Sequence, residues 1–378
     1  MATARRQRPD VNKILLDTQA EVGKMLQGTQ AEMQRVVERN VKRARQGVDV
    51  LLARDEPPVG VTPKDVIYSR GTLRLYHYRP KTDEVYRVPV VFIMSLVSKP
   101  WILDLTPGQS FIEYMLGQGF DVFMVDWGIP RPEDRRLKLD DYAMDFMPRC
   151  FQEVQKATGE TDYSVLGYCM GGQLALMHAG THPDAPIANL ITAATPVDME
   201  GMGLFQHFSN RKWFDVDRFI DTMGNVPPDF MLRSFEMLRP MDRWTSYIRL
   251  IDNLWDPMFV YGYRVMYKWT NEQIPFPGEA YRQMTKELMW ENKLMKGTLN
   301  IGGRPVDTKS ITCPVINVMA EHDHIAPYNA TKPLLSLVGS KDTEDVVMKG
   351  GHVSLVAGKN AVGRLWPKVA DWLGHRSV

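Results

Sequence analysis

Up to about residue 50 the chain carries a helical pattern, with no Gly-Pro punctuation after Pro9. Apolar residues come in triplets: Val11, Ile14 and Leu15, then Val22, Met25 and Leu26, then Met33, Val36 and Val37. The triplets recur every eleven residues, a spacing that keeps one apolar stripe on a nearly straight helix. The opposite face is charged and mildly basic, with Arg35, Arg39, Lys42, Arg43 and Arg45. Such a helix either packs on its own domain or docks on a partner or an apolar surface. The run Asp55-Glu56-Pro57-Pro58-Val59-Gly60 then marks a turn-rich boundary.

Beyond it the pattern alternates between short apolar runs and helical stretches. Strands are expected at Asp65 to Tyr68 and Leu73 to Tyr78, and a continuously apolar one at Val88 to Ser95. A continuous run of that kind suits a sheet covered on both faces. A helix over Phe111 to Gly117 and a strand over Asp121 to Trp127 follow. Asp140 to Gly159 reads as helix, with Pro148 marking a kink or restart. Next come a strand from Tyr163 to Gly167, a helix beginning near Gly172 and running to Thr181, and a strand from Asn189 to Ala194. This alternation predicts an α/β fold with a doubly wound, mostly parallel sheet.

Residues 199 to 300 break the alternation. They hold Trp213, Trp244, Trp255, Trp269 and Trp290 and many Met, and predict a mainly helical cap inserted over the active edge of the sheet. The sheet pattern resumes at Cys313 to Ala320 and Glu344 to Met348, and the chain closes with a helix through Trp366 and Trp372. The expected organisation is therefore an N-terminal helical region over 1–54, core over 55–198, cap over 199–300 and core again over 301–378.

Composition narrows the class. Hydrophobic residues make up 44% and charged residues 24%, values ordinary for a soluble globular protein. A net charge of +1 argues against nucleic-acid binding driven by bulk charge. The three cysteines, Cys150, Cys169 and Cys313, are widely spaced, which fits a reducing cytosol and offers no zinc spacing. No stretch has the apolar length of a membrane span and the N-terminus lacks a signal-peptide core, so a cytoplasmic location is expected.

The chemistry centres on Gly167-Tyr168-Cys169-Met170-Gly171-Gly172, between the strand ending at Gly167 and the next helix. That is the setting of a nucleophile elbow, written G-x-S-x-G in hydrolases, with Cys169 in place of serine. Small residues flank a strained crest, and the helix N-terminus favours negative charge nearby. Asp323 follows the strand ending at Ala320, and His352 follows the last strand. Nucleophile, acid and His thus appear in the chain order of α/β-hydrolases, all at the carboxyl edge of the sheet. His352 would accept the thiol proton, and Asp323 would either orient the imidazole or help activate an incoming hydroxyl. The amide after the nucleophile, that of Met170, and one from the loop Leu96-Val97-Ser98-Lys99-Pro100-Trp101, taken here as Val97, would form the oxyanion hole. No His-Gly-Gly pattern marks that loop. His322 and His324 flank Asp323, and alternation on an extended stretch would send them to the opposite side, so no metal is expected. Cys150 and Cys313 read as structural thiols.

Assembled, these residues resemble the polyhydroxyalkanoate synthases, in their short, two-component form, over roughly residues 55–375. The resemblance also rests on Ser98-Lys99-Pro100-Trp101-Ile102-Leu103-Asp104-Leu105, Val125-Asp126-Trp127-Gly128, Asp221-Thr222-Met223-Gly224-Asn225-Val226-Pro227, Gly278-Glu279-Ala280-Tyr281-Arg282-Gln283, Asp323-His324 and Gly350-Gly351-His352. It places the family's catalytic Cys, Asp and His on Cys169, Asp323 and His352. It implies a polymerase of (R)-3-hydroxyacyl-CoA, with short substrates such as 3-hydroxybutyryl-CoA, that releases CoA and lengthens a polyester through an acyl-Cys169 intermediate. It further implies a growing polyester chain at a granule surface, a second non-catalytic subunit, a homo-oligomer, and no resident cofactor, since coenzyme A arrives on the substrate and leaves. A Cys-dependent thioesterase or esterase could use the same triad, but a small hydrolase lacks the long cap and the stretches at 221 and 278. A non-catalytic granule scaffold would not need an intact triad. No glycine-rich phosphate loop marks a CoA site.

Overall fold

The computed structural model describes residues 11–52 and 56–378. The chain forms two compact units, one made of the residues before Pro58 together with Arg243–Arg264, the other of Pro58–Asp242 together with Val265–Val378.

The larger unit is built on a sheet of eight strands. They are β1 (Lys64–Arg70), β2 (Leu73–Tyr78), β3 (Val90–Ile93), β4 (Val122–Asp126), β5 (Tyr163–Tyr168), β6 (Ile187–Ala193), β9 (Val315–Ala320) and β10 (Thr343–Met348). Two short strands, β7 (Asn300–Ile301) and β8 (Arg304–Pro305), pair separately. The large sheet runs in the order β1-β2-β4-β3-β5-β6-β9-β10. The β1–β2 and β2–β4 pairs are antiparallel, and every other pair is parallel. The expected mostly parallel sheet is therefore present, with its antiparallel pairs confined to one edge.

Strand β3 lies at the centre, and all four of its side chains are fully buried. It is shorter than the apolar run Val88 to Ser95 suggests. Its ladder ends where Ile93 pairs with Gly167, because the chain beyond has other partners: the Met94 carbonyl accepts the Trp127 indole N–H at 2.9 Å. Helix α2 (Phe111–Gly117) has the expected bounds, with the Ser110 hydroxyl accepting the Glu113 amide as N-cap. The expected helix over Asp140 to Gly159 is three joined pieces: α3 (Leu139–Asp141), a π-helical turn at Tyr142–Phe146, and α4 (Met147–Thr158). Pro148 sits at the first turn of α4, where its missing N–H costs no helical bond. Helix α5 (Met170–Thr181) starts directly after Cys169, earlier than the glycines suggest, and is buried along its whole length.

Residues 199–300 contribute only the short β7 and no strand to the large sheet. Within the larger unit they form helices Leu204–Phe208, Val216–Met223, Pro228–Leu238 and Gly278–Gln283, the last continuing as a π-helical turn over Met284–Trp290. The helices Asp242–Asp252 and Pro257–Asn271 carry residues of both units.

In the smaller unit, α1 (Val11–Leu52) is the long helix that the eleven-residue pattern predicts. Among the described residues, two of its contacts within the unit come from the charged face. Arg43 donates to the Asp252 carbonyl at 3.1 Å, satisfying a group at the C-terminus of helix Asp242–Asp252, and Arg39 lies 4.8 Å over the Trp255 ring. Met33, Val36 and Val37 of the apolar stripe are exposed. The side chains of Val11, Ile14, Leu15, Val22, Met25 and Leu26 lie outside the described residues. Among the described residues no helix is long and apolar enough to cross a membrane.

The tightest packing in the sheet is testable. A Cβ at Gly171 would overlap the Ile93 carbonyl, whereas one at Gly117 meets nothing nearby. Gly171→Ala should lower unfolding free energy by about 3 kcal/mol, and Gly117→Ala by less than about 1 kcal/mol. Urea midpoints check this; equal midpoints for the two variants would contradict the packing argument.

Candidate active site

The site is assembled by three strand ends at one sheet edge. Strand β5 ends at Tyr168, and Cys169 occupies the crest with φ 57° and ψ −123°. That positive φ is costly for a residue with a side chain and survives because both neighbours are fixed. The Cys169 amide donates to the Ala193 carbonyl at 2.7 Å, and the Cys169 carbonyl accepts the Gly172 amide at 3.0 Å. The Cys169 side chain is half-buried, open on one side to an incoming group.

Asp323 follows β9 in a turn, and the extended alternation expected around it is absent. The Ile325 and Ala326 amides both donate to Asp323 Oδ1 at 2.8 Å, folding the stretch back on its own carboxylate. His322 and His324 are therefore not set on one side by strand alternation. Among the described residues no cluster of metal-ligating side chains is present.

His352 opens a 3-10 turn after β10, and its Nδ1 lies 2.7 Å from Asp323 Oδ2. The Asp323 carboxylate is fully enclosed and the imidazole nearly so. Burial disfavours a charged imidazole, but the Asp323 carboxylate and the Cys169 sulfur favour it more, and together they push His352 up to about 10. The resulting arrangement is an imidazole held between a carboxylate and a sulfur. Tyr168, beside Cys169, packs its ring 5.1 Å from that of His352 and donates from its hydroxyl to the His352 carbonyl at 3.4 Å. The structure thus brings Cys169, His352 and Asp323 together.

Met170 begins α5, so its amide sits at a helix N-terminus next to the nucleophile. The Val97 amide points at Ser95 Oγ at 3.4 Å, and the Val97 carbonyl accepts the Ile274 amide at 3.4 Å, which ties the loop after β3 to the helical insertion. Cys150 is buried, its thiol pushed by burial up to about 12; burial likewise pushes Cys313 up to about 11. Both fit structural roles.

Two supports escaped sequence reasoning although their residues stood in quoted stretches. Trp127 of Val125-Asp126-Trp127-Gly128 anchors the backbone next to the loop after β3. Arg282 of Gly278–Gln283 bridges Asp217 and Asp221 at 2.5 Å each. A charged residue repeated in family stretches was the available signal, but its partners lie more than sixty positions away in the chain.

The chain has relatives among known proteins. Residues 103–358 match the profile of the alpha/beta hydrolase fold, and residues 7–115 that of the poly-beta-hydroxybutyrate polymerase (PhaC) N-terminus. The chain is 36% identical over 324 residues to the poly(3-hydroxyalkanoate) polymerase subunit PhaC of Haloferax mediterranei, covering 85% of this chain and 66% of that protein. Against the subunit of the same name from Allochromatium vinosum it is 34% identical, covering 89% of this chain and 95% of that one. Among solved structures, a putative lipase from Sulfolobus solfataricus aligns with a TM-score of 0.53 at 14% identity, covering 85% of this chain and 97% of the lipase. That likeness concerns the fold alone.

Thiol reactivity tests the ion pair. The folded value of His352 lies above the ordinary 6.5, so the stability it contributes is complete below that pH and is lost as pH rises through about 10. Iodoacetamide should modify Cys169 well ahead of Cys150 and Cys313, whose thiols burial pushes up. In His352→Gln the rate at pH 7 should fall at least about tenfold. Equal rates in wild type and variant would contradict the pairing.

Proposed function

The chain belongs to the poly(3-hydroxyalkanoate) polymerase family, and from that premise we propose that it polymerises (R)-3-hydroxyacyl-CoA through an acyl-Cys169 intermediate. The observation that carries the assignment of roles is the contiguous Cys169, His352 and Asp323 arrangement on the carboxyl edge of the sheet.

The steps follow from the charges. A thiolate at Cys169 attacks the thioester carbonyl, and attacking and leaving sulfurs have similar basicity, so little free energy separates the two thioesters. The developing oxyanion is assigned to the amides of Met170 and Val97, with the latter turning from Ser95 to the substrate. The C–S bond to CoA breaks, and the departing sulfur takes the proton that His352 carries. The imidazole, now neutral, accepts the proton of an incoming 3-hydroxyl as its oxygen attacks the acyl-Cys169 carbonyl. An ester bond forms and the Cys169 thiolate is restored beside a protonated His352. No resident cofactor enters this cycle.

Asp323 is assigned to orient His352. One of its oxygens is spent on two backbone amides and the other on Nδ1, and the carboxylate has no open face for a substrate hydroxyl. The helices of residues 199–300 are read as a cap over the site, and exclusion of water by such a cap would favour a hydroxyl chain end as acceptor. Short substrates such as 3-hydroxybutyryl-CoA are assigned from the family resemblance. A granule-associated cytoplasmic location, a homo-oligomer and a second, non-catalytic subunit belong to the same reading, and the exposed Met33, Val36 and Val37 of α1 fit an apolar contact of that kind.

Purified protein given 3-hydroxybutyryl-CoA, with a candidate second subunit supplied, should release CoA and accumulate insoluble polyester. Cys169→Ala should lower the rate by roughly 10⁴-fold or more. CoA release with only soluble 3-hydroxybutyrate would replace this reading with that of a thioesterase.

A further inference from the structure

The substrate of the proposed reaction carries phosphate groups far from its thioester, and the chain has no glycine-rich loop for them. Two of the stretches that mark the family meet elsewhere. Gly278 packs so closely on Gly224 that a Cβ would overlap the Gly224 carbonyl, and Val226 and Phe276 form an antiparallel bridge. Arg282 ties this junction electrostatically, donating to Asp217 and Asp221 at 2.5 Å each and lying 3.2 Å from Glu279. The Asn225 amide side chain donates to the Arg131 carbonyl at 2.8 Å, joining the junction to the loop that leaves β4.

Where these pieces meet, a cleft of about 270 Å³ opens, lined by Arg135, Arg136 and Arg282 around Gly224. The carboxylates at its rim, Asp221 and Glu279, are both engaged by Arg282. Arg135 and Arg136 are exposed, and among the described residues neither has an ion-pair or hydrogen-bond partner. Arg135 runs beside Gly224, which leaves its guanidinium unobstructed. A second cleft, of about 300 Å³, also contains cations, but they are spent: Lys99 pairs with Glu272 at 2.7 Å and Lys64 donates to the Gly60 carbonyl at 2.7 Å.

We propose that Arg135 and Arg136 bind the phosphate groups of the CoA moiety, with Arg282 holding the cleft in shape. The inference rests on the polymerase reading above and adds the site it lacked. Two adjacent guanidinium groups match phosphate oxygens through charge-assisted, often bidentate hydrogen bonds. The position is consistent with catalysis at Cys169. The loop bearing both arginines leaves the carboxyl end of β4, the same edge of the sheet at which Cys169 follows β5. The pantetheine arm separates the thioester from the phosphates, so the two sites need not adjoin.

The test compares two thioesters of 3-hydroxybutyrate, one of CoA and one of pantetheine, which lacks the nucleotide phosphates. Wild type should prefer the CoA thioester through a lower KM. In Arg135→Gln/Arg136→Gln the KM for the CoA thioester should rise about tenfold and the preference should largely vanish. A parallel calorimetric titration with adenosine 3′,5′-bisphosphate should show binding to wild type that weakens about tenfold in the double variant. An equal KM rise for both thioesters would mark a structural effect and overturn the site, as would unchanged binding of the bisphosphate. Should wild type and variant differ as stated in the titration while wild type, with the second subunit supplied, releases CoA but makes only soluble 3-hydroxybutyrate, the phosphate site stands and the polymerase reading falls.

Discussion

Most of this structure depends on how closely the backbone of α5 approaches the sheet. At Gly171 the helix meets the Ile93 carbonyl of the central strand, and at Gly167 the strand meets the backbone of Gly172. That contact forces the chain to turn within one residue, so Cys169 takes a positive φ and stands clear of the packed surface around it. The same turn sets the N-terminus of a fully buried helix directly after Cys169. The position of Cys169, the oxyanion donor proposed at Met170 and the local electrostatics therefore share a single geometric cause. Removing the close approach would disturb all three together.

The remaining groups answer to that fixed point. Asp323 would be costly as an isolated buried charge, and it is satisfied by two amides and one imidazole. His352 is as deeply placed, and the Asp323 carboxylate and the Cys169 sulfur favour its charged form against the cost of burial. Tyr168 closes the set by packing its ring on the imidazole from the strand that also delivers Cys169. Each group is thus held by a neighbour whose own position comes from the sheet, which is the condition for reproducible geometry at a reacting centre.

The sequence revealed this centre well because its determinants are local. Gly-x-Cys-x-Gly after an apolar run, and polar residues just past two further strands, can be read without knowing any long-range contact. The sheet was legible for the same reason, since β4, β5, β6 and β9 are apolar runs between turn residues. What escaped were features decided by contacts between distant segments. The length of β3 is set by its pairing with Gly167, and the fold-back at Asp323 by its own carboxylate capturing two amides. The orientation of α1 also escaped. Periodicity gave the long helix, but Arg39 and Arg43 make contacts within its unit while Met33, Val36 and Val37 stay exposed. A stripe shows which residues share a face, and it leaves open which face meets a neighbour.

The central claim is that the growing chain is carried on Cys169. Brief exposure of the protein to 3-hydroxybutyryl-CoA, acid quenching, digestion and mass spectrometry of the three cysteine-containing peptides would test it most directly. The account predicts 3-hydroxybutyryl units on the Cys169 peptide alone, their number rising with reaction time. Acyl groups on Cys150 or Cys313 instead, or CoA release at full rate with every cysteine unmodified, would contradict it.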